Sequence, residues 1–428
     1  MPEKSKKVVT WEQAGASSND DISLGDRVAR WSSFLGEIKW FNFTMLVLIP
    51  FWAFLQVQSV IFYPKTMALC CFYYFITLCS ITAGYHRLWA HRSYSASPLL
   101  KYLLAAFGAG AVQGSIKFWV REHRAHHRYT DTDRDPYNIQ KGFWHAHILW
   151  VLVKQPKKNN RVDISDIMHD RIVVWQHKYY FIAALIMGWA LPALVAGLGW
   201  NDWYGGFLYA GILRSFFVNQ ATFCVNSLAH YLGEQPFDDR RSPRDHILTA
   251  IITMGEGYHN YHHSFPSDYR NGIEWYHLDP TKWMISALDW AGLAYDLKRF
   301  RQNEIDVGRI QQSYKKLEKK GRDLNWGTPI EQLPTMIWSE YQKRVGAGES
   351  LVVIEGIVHD VSSFRQEHPG GEIMIRSALG SDATGLFNGA VYDHSSAARN
   401  MLATLRVAIL LGGGEVEALK SPQISPST

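Results

Sequence analysis

Two copies of one histidine pattern constrain this chain more than any other feature of its sequence. On a helix, the three histidines of H-x-x-H-H project from one face, because positions three and four residues apart are neighbours there. Each triplet is therefore expected to act as one group of ligands and to serve half of a metal site. The two copies are His123, His126 and His127, and then His259, His262 and His263.

Other histidines add to these triplets. His86 and His91 are five residues apart, a poor spacing for one face of an α-helix, so one of them is expected just past a helix end. His230 follows Asn226 by about one helical turn, at the end of an apolar run where polar residues are costly and usually functional. Six further histidines are interpreted as ordinary core or surface residues: His145, His147, His169, His177, His246 and His277.

The number of imidazoles bears on the metal. These eight or nine histidines exceed the four ligands of a closed zinc site, so two metals are expected. Imidazole suits zinc, copper, iron and nickel alike, and ligand chemistry alone leaves that choice open. The triplets include no carboxylate apart from Glu122, next to His123, which distinguishes the site from carboxylate-rich di-iron bundles.

Four apolar runs are each long enough to cross about 30 Å of hydrocarbon. Residues 99–118 are also apolar, but Lys101, Gln113 and several glycines interrupt them, so this stretch is expected at the interface or packed against protein. A short turn is expected at Pro64–Thr66, between the first two runs. The four runs are approximately 43–63, 67–84, 179–200 and 203–228.

Charge predicts how these spans are oriented. The two loops on one side carry only Lys65, whereas the tail before the first run is basic, and the positive-inside rule then puts both termini in the cytosol. All histidine clusters fall on that side, provided that residues 99–118 do not cross. The basic residues of the tail are Lys4, Lys6, Lys7, Arg27, Arg30 and Lys39.

Composition excludes several classes of protein. The net charge is +5 without a polybasic block, so no nucleic-acid partner is expected. All four cysteines lie in apolar runs, which argues against a disulfide framework. The first 40 residues are polar and lack the pattern of a cleaved signal peptide, so the first apolar run is expected to act as an uncleaved anchor.

Shifts in composition predict five segments. They are a polar tail at 1–40, a transmembrane domain at 41–300, a charged helical linker at 301–332, a small globular domain at 333–412 and a loose tail at 413–428.

The small C-terminal domain carries a second cofactor signal. Residues 353–361 are expected to form a strand and turn, and His368-Pro369-Gly370-Gly371 and then His394 follow. This pattern resembles cytochrome b5, and the resemblance implies that His368 and His394 are the two axial ligands of a haem b. A bis-histidine haem has no open position for substrate and transfers single electrons. A hydrolase has no use for a fused electron carrier, whereas an oxygen-activating iron site needs one, so the metals are expected to be iron.

The histidine motifs together resemble those of the membrane stearoyl-CoA (Δ9) desaturases, in the fungal form with a fused cytochrome b5 domain. The motifs are H-R-L-W-A-H at 86–91, H-R-A-H-H at 123–127, N-S-L-A-H at 226–230 and H-N-Y-H-H at 259–263. The resemblance implies a mainly α fold with four transmembrane helices and a cytosolic helical cap, followed by a small α+β haem domain. It also implies a multi-pass protein of the endoplasmic reticulum membrane.

The same resemblance assigns roles to individual residues. It implies that two irons bind nine histidines, that Asn226 reaches one iron through a water, and that Arg121 meets the CoA head group. Gln113, Trp119 and Thr222 match positions that line the bend of the acyl tunnel, and Arg214 matches an arginine of the family. The nine implied iron ligands are His86, His91, His123, His126, His127, His230, His259, His262 and His263.

The implied reaction inserts a cis double bond at Δ9 of saturated acyl-CoA (palmitoyl or stearoyl) using O2. Electrons would come from NADH through NADH-cytochrome b5 reductase and the haem. Residues 117–178 carry 12 Lys and Arg against 7 Asp and Glu, and residues 345–412 carry 4 against 7. We expect the basic segment to attract both CoA and the acidic haem domain.

Three alternatives stay open on the sequence. The nearest is another histidine-box enzyme: a fatty-acid or sterol hydroxylase, which would yield an alcohol, or a desaturase that acts on another acyl carrier. The others are a membrane zinc hydrolase and a non-catalytic haem or metal sensor.

Overall fold

The computed structural model describes residues 33, 35–156, 161–389 and 393–412. The chain divides into two compact units, Met1–Tyr314 and Lys315–Thr428. Most of the tail predicted at 1–40 and all of the tail predicted at 413–428 lie outside the described residues.

Within the described part of the chain, three helices are long and apolar enough to cross a membrane. They span Trp40–Ser59, Pro64–Ala90 and Tyr180–Trp200. The prediction of a turn at Pro64–Thr66 was wrong, because Pro64 is the first residue of the second helix and the connection is made by the residues before it. Proline suits that position, since its fixed φ is already helical and its missing N–H would have had no helical partner.

The fourth predicted span coincides with a continuous helical stretch that is not one of those three. Its parts are Trp203–Gly205, a π-helical Gly206–Leu213 and Arg214–Tyr231. Arg214 interrupts the apolar run but is fully buried. It donates hydrogen bonds to the carbonyl oxygens of Gly110, Gly188 and Ala210, which satisfies the guanidinium inside the helical layer.

Shorter helices surround the long ones in the first unit. The apolar stretch at 99–118 forms a helix at Pro98–Ala109 and then a turn, consistent with a segment that packs on protein. A two-stranded antiparallel pair joins β1 (Ser95–Ala96) to β2 (Ala294–Tyr295). The other helices are Ile116–Tyr129, Ile139–Lys141, His145–Leu149, Trp150–Leu152, Ser165–Met168, Arg171–Lys178, Ile247–Ile252, His259–Ser264 and Pro280–Trp290.

The end of the second long helix has an unusual winding. Pro64–Cys79 is α-helical, whereas Ser80–Ala90 is a π-helix. The N–H of His91 donates to the carbonyl of His86 at 3.0 Å, which is the i to i+5 bond of that winding. His91 lies one residue past the helix end, as expected, and the wider turn brings it round to the side of His86.

The second unit contains a four-stranded sheet. Its strands are β3 (Thr335–Ile337), β4 (Leu351–Ile354), β5 (Ile357–Asp360) and β6 (Arg406–Leu411), in the order β3-β6-β5-β4. The single strand and turn predicted at 353–361 is instead a hairpin of β4 and β5. Glu355 and Gly356, with φ of 55° and 74°, form its tight turn. The helices are Ile330–Gln332, Trp338–Gly346, Glu372–Ala378, Thr384–Phe387 and Ser396–Thr404.

The predicted charged linker forms a helix at Gln302–Arg322, which crosses the boundary between the units. Its first half is more than a linker, because Ile305 and Gln312 are buried. Arg309 pairs with Glu274 at 3.0 Å, which fastens this half to the first unit.

Candidate metal centre and substrate cavity

The histidines form two clusters in the described part of the chain. The ligand atoms of each cluster lie within 4.8 Å of one another. Closest approaches between Nε2 atoms are 2.8 Å for His91 and His123, and 3.0 Å for His262 with either His86 or His127. The first cluster, called here the five-histidine cluster, consists of His86, His91, His123, His127 and His262.

The second group, called here the four-histidine cluster, lies beside the first. The Nε2 atom of His259 is 3.1 Å from that of His230 and 3.1 Å from that of His263. The rings of His127 and His263, one from each cluster, are stacked with centroids 4.0 Å apart. The cluster consists of His126, His230, His259 and His263.

Each H-x-x-H-H triplet divides between the two clusters, so the prediction that one triplet serves one half of the site was wrong. In both copies the first and last histidines enter one cluster and the middle one enters the other. The reason is the angle between the side chains. Successive side chains of an α-helix are rotated by about 100° about the helix axis. The side chains three and four positions after the first histidine therefore point to opposite sides of it. His126 and His262 are therefore the residues that cross over.

Several imidazoles of the two clusters are held in the neutral form. Burial lowers the pKa of His123, His262 and His263 well below the ordinary value, and neighbouring imidazoles lower it further. The same two causes depress the pKa of His91 and His259. A neutral imidazole offers a lone pair, which is the form that binds a metal.

Carboxylates behind the clusters orient some of these rings. His86 donates from Nδ1 to Glu256 at 2.9 Å, and His126 donates from Nδ1 to Asp135 at 3.0 Å. His230 has a longer relay, from Nδ1 to the hydroxyl of Ser242 at 2.7 Å, which in turn donates to Asp131. A ring that donates from Nδ1 carries its lone pair on Nε2, the atom that faces the cluster.

Sequence reasoning missed these residues. Glu256 lies three positions before His259 but serves His86, which is remote in the chain, so no spacing pattern marks it. Asp131 and Asp135 follow the first triplet in an acidic turn, and that turn was the available signal. None of the residues interpreted as ordinary histidines belongs to either cluster.

The donor set fits two metal ions. Ligand nitrogens at about 2.1 Å from one metal lie roughly 3–4 Å apart, which matches the convergence of each cluster. The buried Nε2 of His126 has no hydrogen-bond partner among the described residues, as expected for an atom whose partner is a metal.

A cavity of about 650 Å³ reaches the clusters. Apolar side chains of the helices Trp40–Ser59 and Tyr180–Trp200 form much of its wall, and His86, His123 and His259 lie along it. Such a volume is in the range of a site for a substantial organic ligand. A long apolar chain in this cavity would therefore lie beside both clusters.

All three residues predicted to line the bend of a substrate tunnel lie in the wall of this cavity, namely Gln113, Trp119 and Thr222. Asn226, predicted to reach an iron through a water, lies in the same wall. The amide of Gln113 donates to the hydroxyl of Thr222 at 2.8 Å, and Trp119 stacks on the ring of His123 with centroids 4.8 Å apart. Arg121 does not line the cavity.

Arg121 is half exposed and pairs with Glu122 at 2.8 Å. Since Glu122 itself lines the cavity, Arg121 is one contact away from it. Its predicted role at a head group stays a prediction.

The second unit brings the other pair of histidines together. The ring centroids of His368 and His394 are 6.3 Å apart. The Nδ1 of His368 donates to the carbonyl of Gly371 at 3.3 Å, and that of His394 to the carbonyl of Phe387 at 2.9 Å. Both rings therefore carry the lone pair on Nε2, as axial haem ligands require.

Comparison with known proteins finds a matching family in each of the two units. The family described as "Fatty acid desaturase" matches residues 64–298. The family described as "Cytochrome b5-like Heme/Steroid binding domain" matches residues 337–411.

Individual relatives cover most of the chain. A probable acyl-CoA desaturase of Schizosaccharomyces pombe is 49% identical over 386 residues, which is 90% of this chain and 80% of the relative. Acyl-CoA desaturase 1 of Saccharomyces cerevisiae is 49% identical over 377 residues, 87% of this chain and 74% of the relative. Stearoyl-CoA desaturase 5 of Bos taurus is 39% identical over 285 residues, 64% of this chain and 84% of the relative. The chain thus belongs to the fatty acid desaturase family and carries a C-terminal cytochrome b5-like domain.

Proposed function

We propose that this chain is an acyl-CoA Δ9 desaturase that converts saturated acyl-CoA, such as palmitoyl- or stearoyl-CoA, to the cis-unsaturated product with O2. The observation that carries the proposal is the apolar cavity with two clusters of imidazoles in and behind its wall. Relatives at 49% identity that are named acyl-CoA desaturases support the same substrate class.

Two irons bound by the nine histidines would supply the activation of O2 that removal of two hydrogens from an alkyl chain requires. Asn226 is proposed to reach one iron through a water. It lines the cavity one turn before His230 and would add to the four-histidine cluster, which has one imidazole fewer than its neighbour.

The protein itself positions the substrate and excludes water from it. The apolar walls exclude water from the reacting carbons. They also fix the path of the acyl chain, so that one pair of its methylenes faces the clusters. Gln113 and Thr222 form a polar pair in an otherwise largely apolar wall, which supports their assignment to the bend of the path. Arg121 is proposed to bind CoA phosphates, because a half-exposed guanidinium is suited to bidentate contact with phosphate.

The proposed topology has four membrane spans, with both termini in the cytosol of an endoplasmic reticulum membrane. Satisfaction of buried Arg214 by backbone carbonyls supports a fourth span at Trp203–Leu228, since a buried cation in a span needs such partners. Electrons are proposed to come from NADH through NADH-cytochrome b5 reductase to a haem b held by His368 and His394.

The test is expression in cells that lack their own desaturase, followed by mapping of double bonds in the extracted lipids. Δ9 monounsaturated C16 and C18 chains are the expected products. Hydroxylated chains would instead identify a hydroxylase, and zinc without iron in the purified protein would favour a hydrolase.

A matched pair of variants makes this test specific to the clusters. His262→Ala removes a member of the five-histidine cluster, whereas His169→Ala changes a histidine outside both clusters. Products should vanish in the first variant and persist in the second. Equal activity of the two variants would contradict the proposal.

A further inference from the structure

Resting on the proposed function, we infer that the two clusters are positioned by separate carboxylates, Glu256 for the five-histidine cluster and Asp135 for the four-histidine cluster. Each is a positioning residue, because it acts through the imidazole that it contacts. The consequence is that the binding of each iron can be weakened separately.

Glu256 is held rigidly behind His86. Its Oε2 accepts from Nδ1 of His86 at 2.9 Å and from the amide of Asn271 at 2.7 Å, and its Oε1 accepts from Arg87 at 2.9 Å. Glu256 and Arg87 are 3% and 1% exposed. A carboxylate with three donors is fixed in place and in its ionised form, so it also fixes the ring that donates to it.

Arg87 extends this support to another part of the fold. Its guanidinium contacts both oxygens of Asp279, at 2.9 and 3.1 Å, and the carbonyl oxygen of Tyr269 at 2.8 Å. Asp279 in turn accepts from the backbone N–H groups of Asn271 and Lys282. The ring of His86 is thus tied through two buried side chains to the start of the helix Pro280–Trp290.

Asp135 supports the other cluster from a different segment. Its Oδ1 accepts from Nδ1 of His126 at 3.0 Å and from the backbone N–H of Tyr137 at 3.1 Å. Its Oδ2 accepts from the backbone N–H of Asp131, whose own carboxylate holds Ser242 against His230. One acidic turn therefore positions two of the four imidazoles of this cluster.

The experiment compares iron release from full-length, reconstituted protein. Wild type, Glu256→Gln and Asp135→Asn are loaded with ferrous iron without oxygen and exposed to a ferrous chelator. Loss of a carboxylate behind a ligating histidine typically weakens metal binding about 10–100-fold. Each single variant should therefore release one of its two irons about 10–100-fold faster than wild type, and the double variant should release both.

Spectroscopy identifies which iron has changed. In Mössbauer spectra of protein loaded with ⁵⁷Fe, Glu256→Gln and Asp135→Asn should each alter a different half of the iron signal. Release of both irons together in either single variant, or release as slow as in wild type, would overturn the inference.

Asp202→Asn is the structural control. Asp202 is buried like the other two and accepts from the backbone N–H of Gly205 at 2.9 Å, but no hydrogen bond among the described residues joins it to an imidazole of either cluster. This variant should lose stability without changing iron release. If Glu256→Gln does not fold, Glu256→Asp keeps the charge but withdraws it from Nδ1 of His86 by one methylene. This variant should also release one of its two irons faster than wild type.

The outcomes separate this inference from the proposed function. Wild type that binds no iron, or binds two irons but makes no unsaturated product, would defeat the proposed function. Wild type that binds two irons and desaturates, alongside variants with unchanged iron release, would defeat the inference alone.

Discussion

Arg124 should stabilise the first unit strongly although it lies between two metal-cluster histidines. Its guanidinium pairs with both oxygens of Asp166, at 2.7 and 2.8 Å, and donates to the carbonyl oxygens of Trp89, Ala90 and Asp163. It therefore ties the helix Ile116–Tyr129 to the end of the π-helix, immediately before His91. The perturbation is Arg124→Gln, which removes most of these contacts.

The expected loss can be worked from these contacts. The ion pair is partly exposed, with 18% and 26% of the two side chains accessible, so solvent screening limits it to about 1 kcal/mol. Three carbonyl oxygens lose a charged donor, at about 0.5–1 kcal/mol each, since water reaches them in part. The total is about 3 kcal/mol, or roughly 6 °C in the melting temperature of a unit this large.

Thermal denaturation of the detergent-solubilised protein, followed by intrinsic fluorescence, measures this loss. Arg128→Gln is the matched control, because Arg128 lies one turn further along the same helix and is exposed. The control should melt within about 1 °C of wild type, since exposed substitutions change stability little. Equal melting temperatures of the Arg124 and Arg128 variants would refute the assignment of stability to this tether.

Three further changes test other parts of the structure. Gly257→Ala should abolish folded protein, judged by size-exclusion yield, because a Cβ would overlap the backbone nitrogen of Ala250. Gly321 lies in open space on the helix Gln302–Arg322, so Gly321→Ala should instead stabilise that helix by about 0.5–1 kcal/mol in a melting experiment. Thr222→Val leaves the amide of Gln113 only the carbonyl oxygen of Val218, at 3.5 Å, as acceptor, which costs about 1 kcal/mol and should raise the KM for acyl-CoA in a steady-state assay. His368→Ala should eliminate the haem absorbance while the iron content of the first unit, measured by metal analysis, stays unchanged.

Local sequence was enough to predict most helices of the first unit. Hydropathy over about 20 residues determines whether a segment can be a long apolar helix, so the runs at 43–63, 67–84 and 179–200 were identified to within a few residues. The H-P-G-G motif located the second unit for a similar reason. The hairpin of β4 and β5 was missed because Glu355 is an unusual residue for a positive φ, and the Glu-Gly turn was interpreted as part of one strand.

The winding of the π-helix Ser80–Ala90 was beyond local prediction. A π-helix is rare and its propensities resemble those of an α-helix, so only the surrounding packing selects it. All of its residues are buried, and this packing offsets the cost of the wider turn. The spacing of five between His86 and His91 suggested a helix end. In the structure, the π-helical winding and the helix end together place His91 beside His86.

The outer contacts of the site were hidden for a different reason. The histidines are recognisable because several lie within four residues of one another in sequence, whereas Glu256 and His86 are joined only by the fold. Asp131 and Asp135 could have been suspected, since they follow the first triplet within eight residues. Acidic turns are common, however, and only the contacts with Ser242 and His126 distinguish this one.

The division of each triplet between the two clusters makes the seating of the short helix His259–Ser264 decisive. Six residues are too few for a stable helix in isolation, and a rotation by one residue, about 100°, would misplace ligands of both clusters. Asp245 prevents this by accepting from the backbone N–H groups of Asn260 and Tyr261 at 2.7 and 3.2 Å, at the start of the helix. Asp245→Ala should therefore accelerate release of both irons in parallel in the chelator assay. Release of a single iron would show that the helix keeps its position without this cap. It would also show that each histidine of a triplet is positioned by its own contacts and not by the helix as a whole.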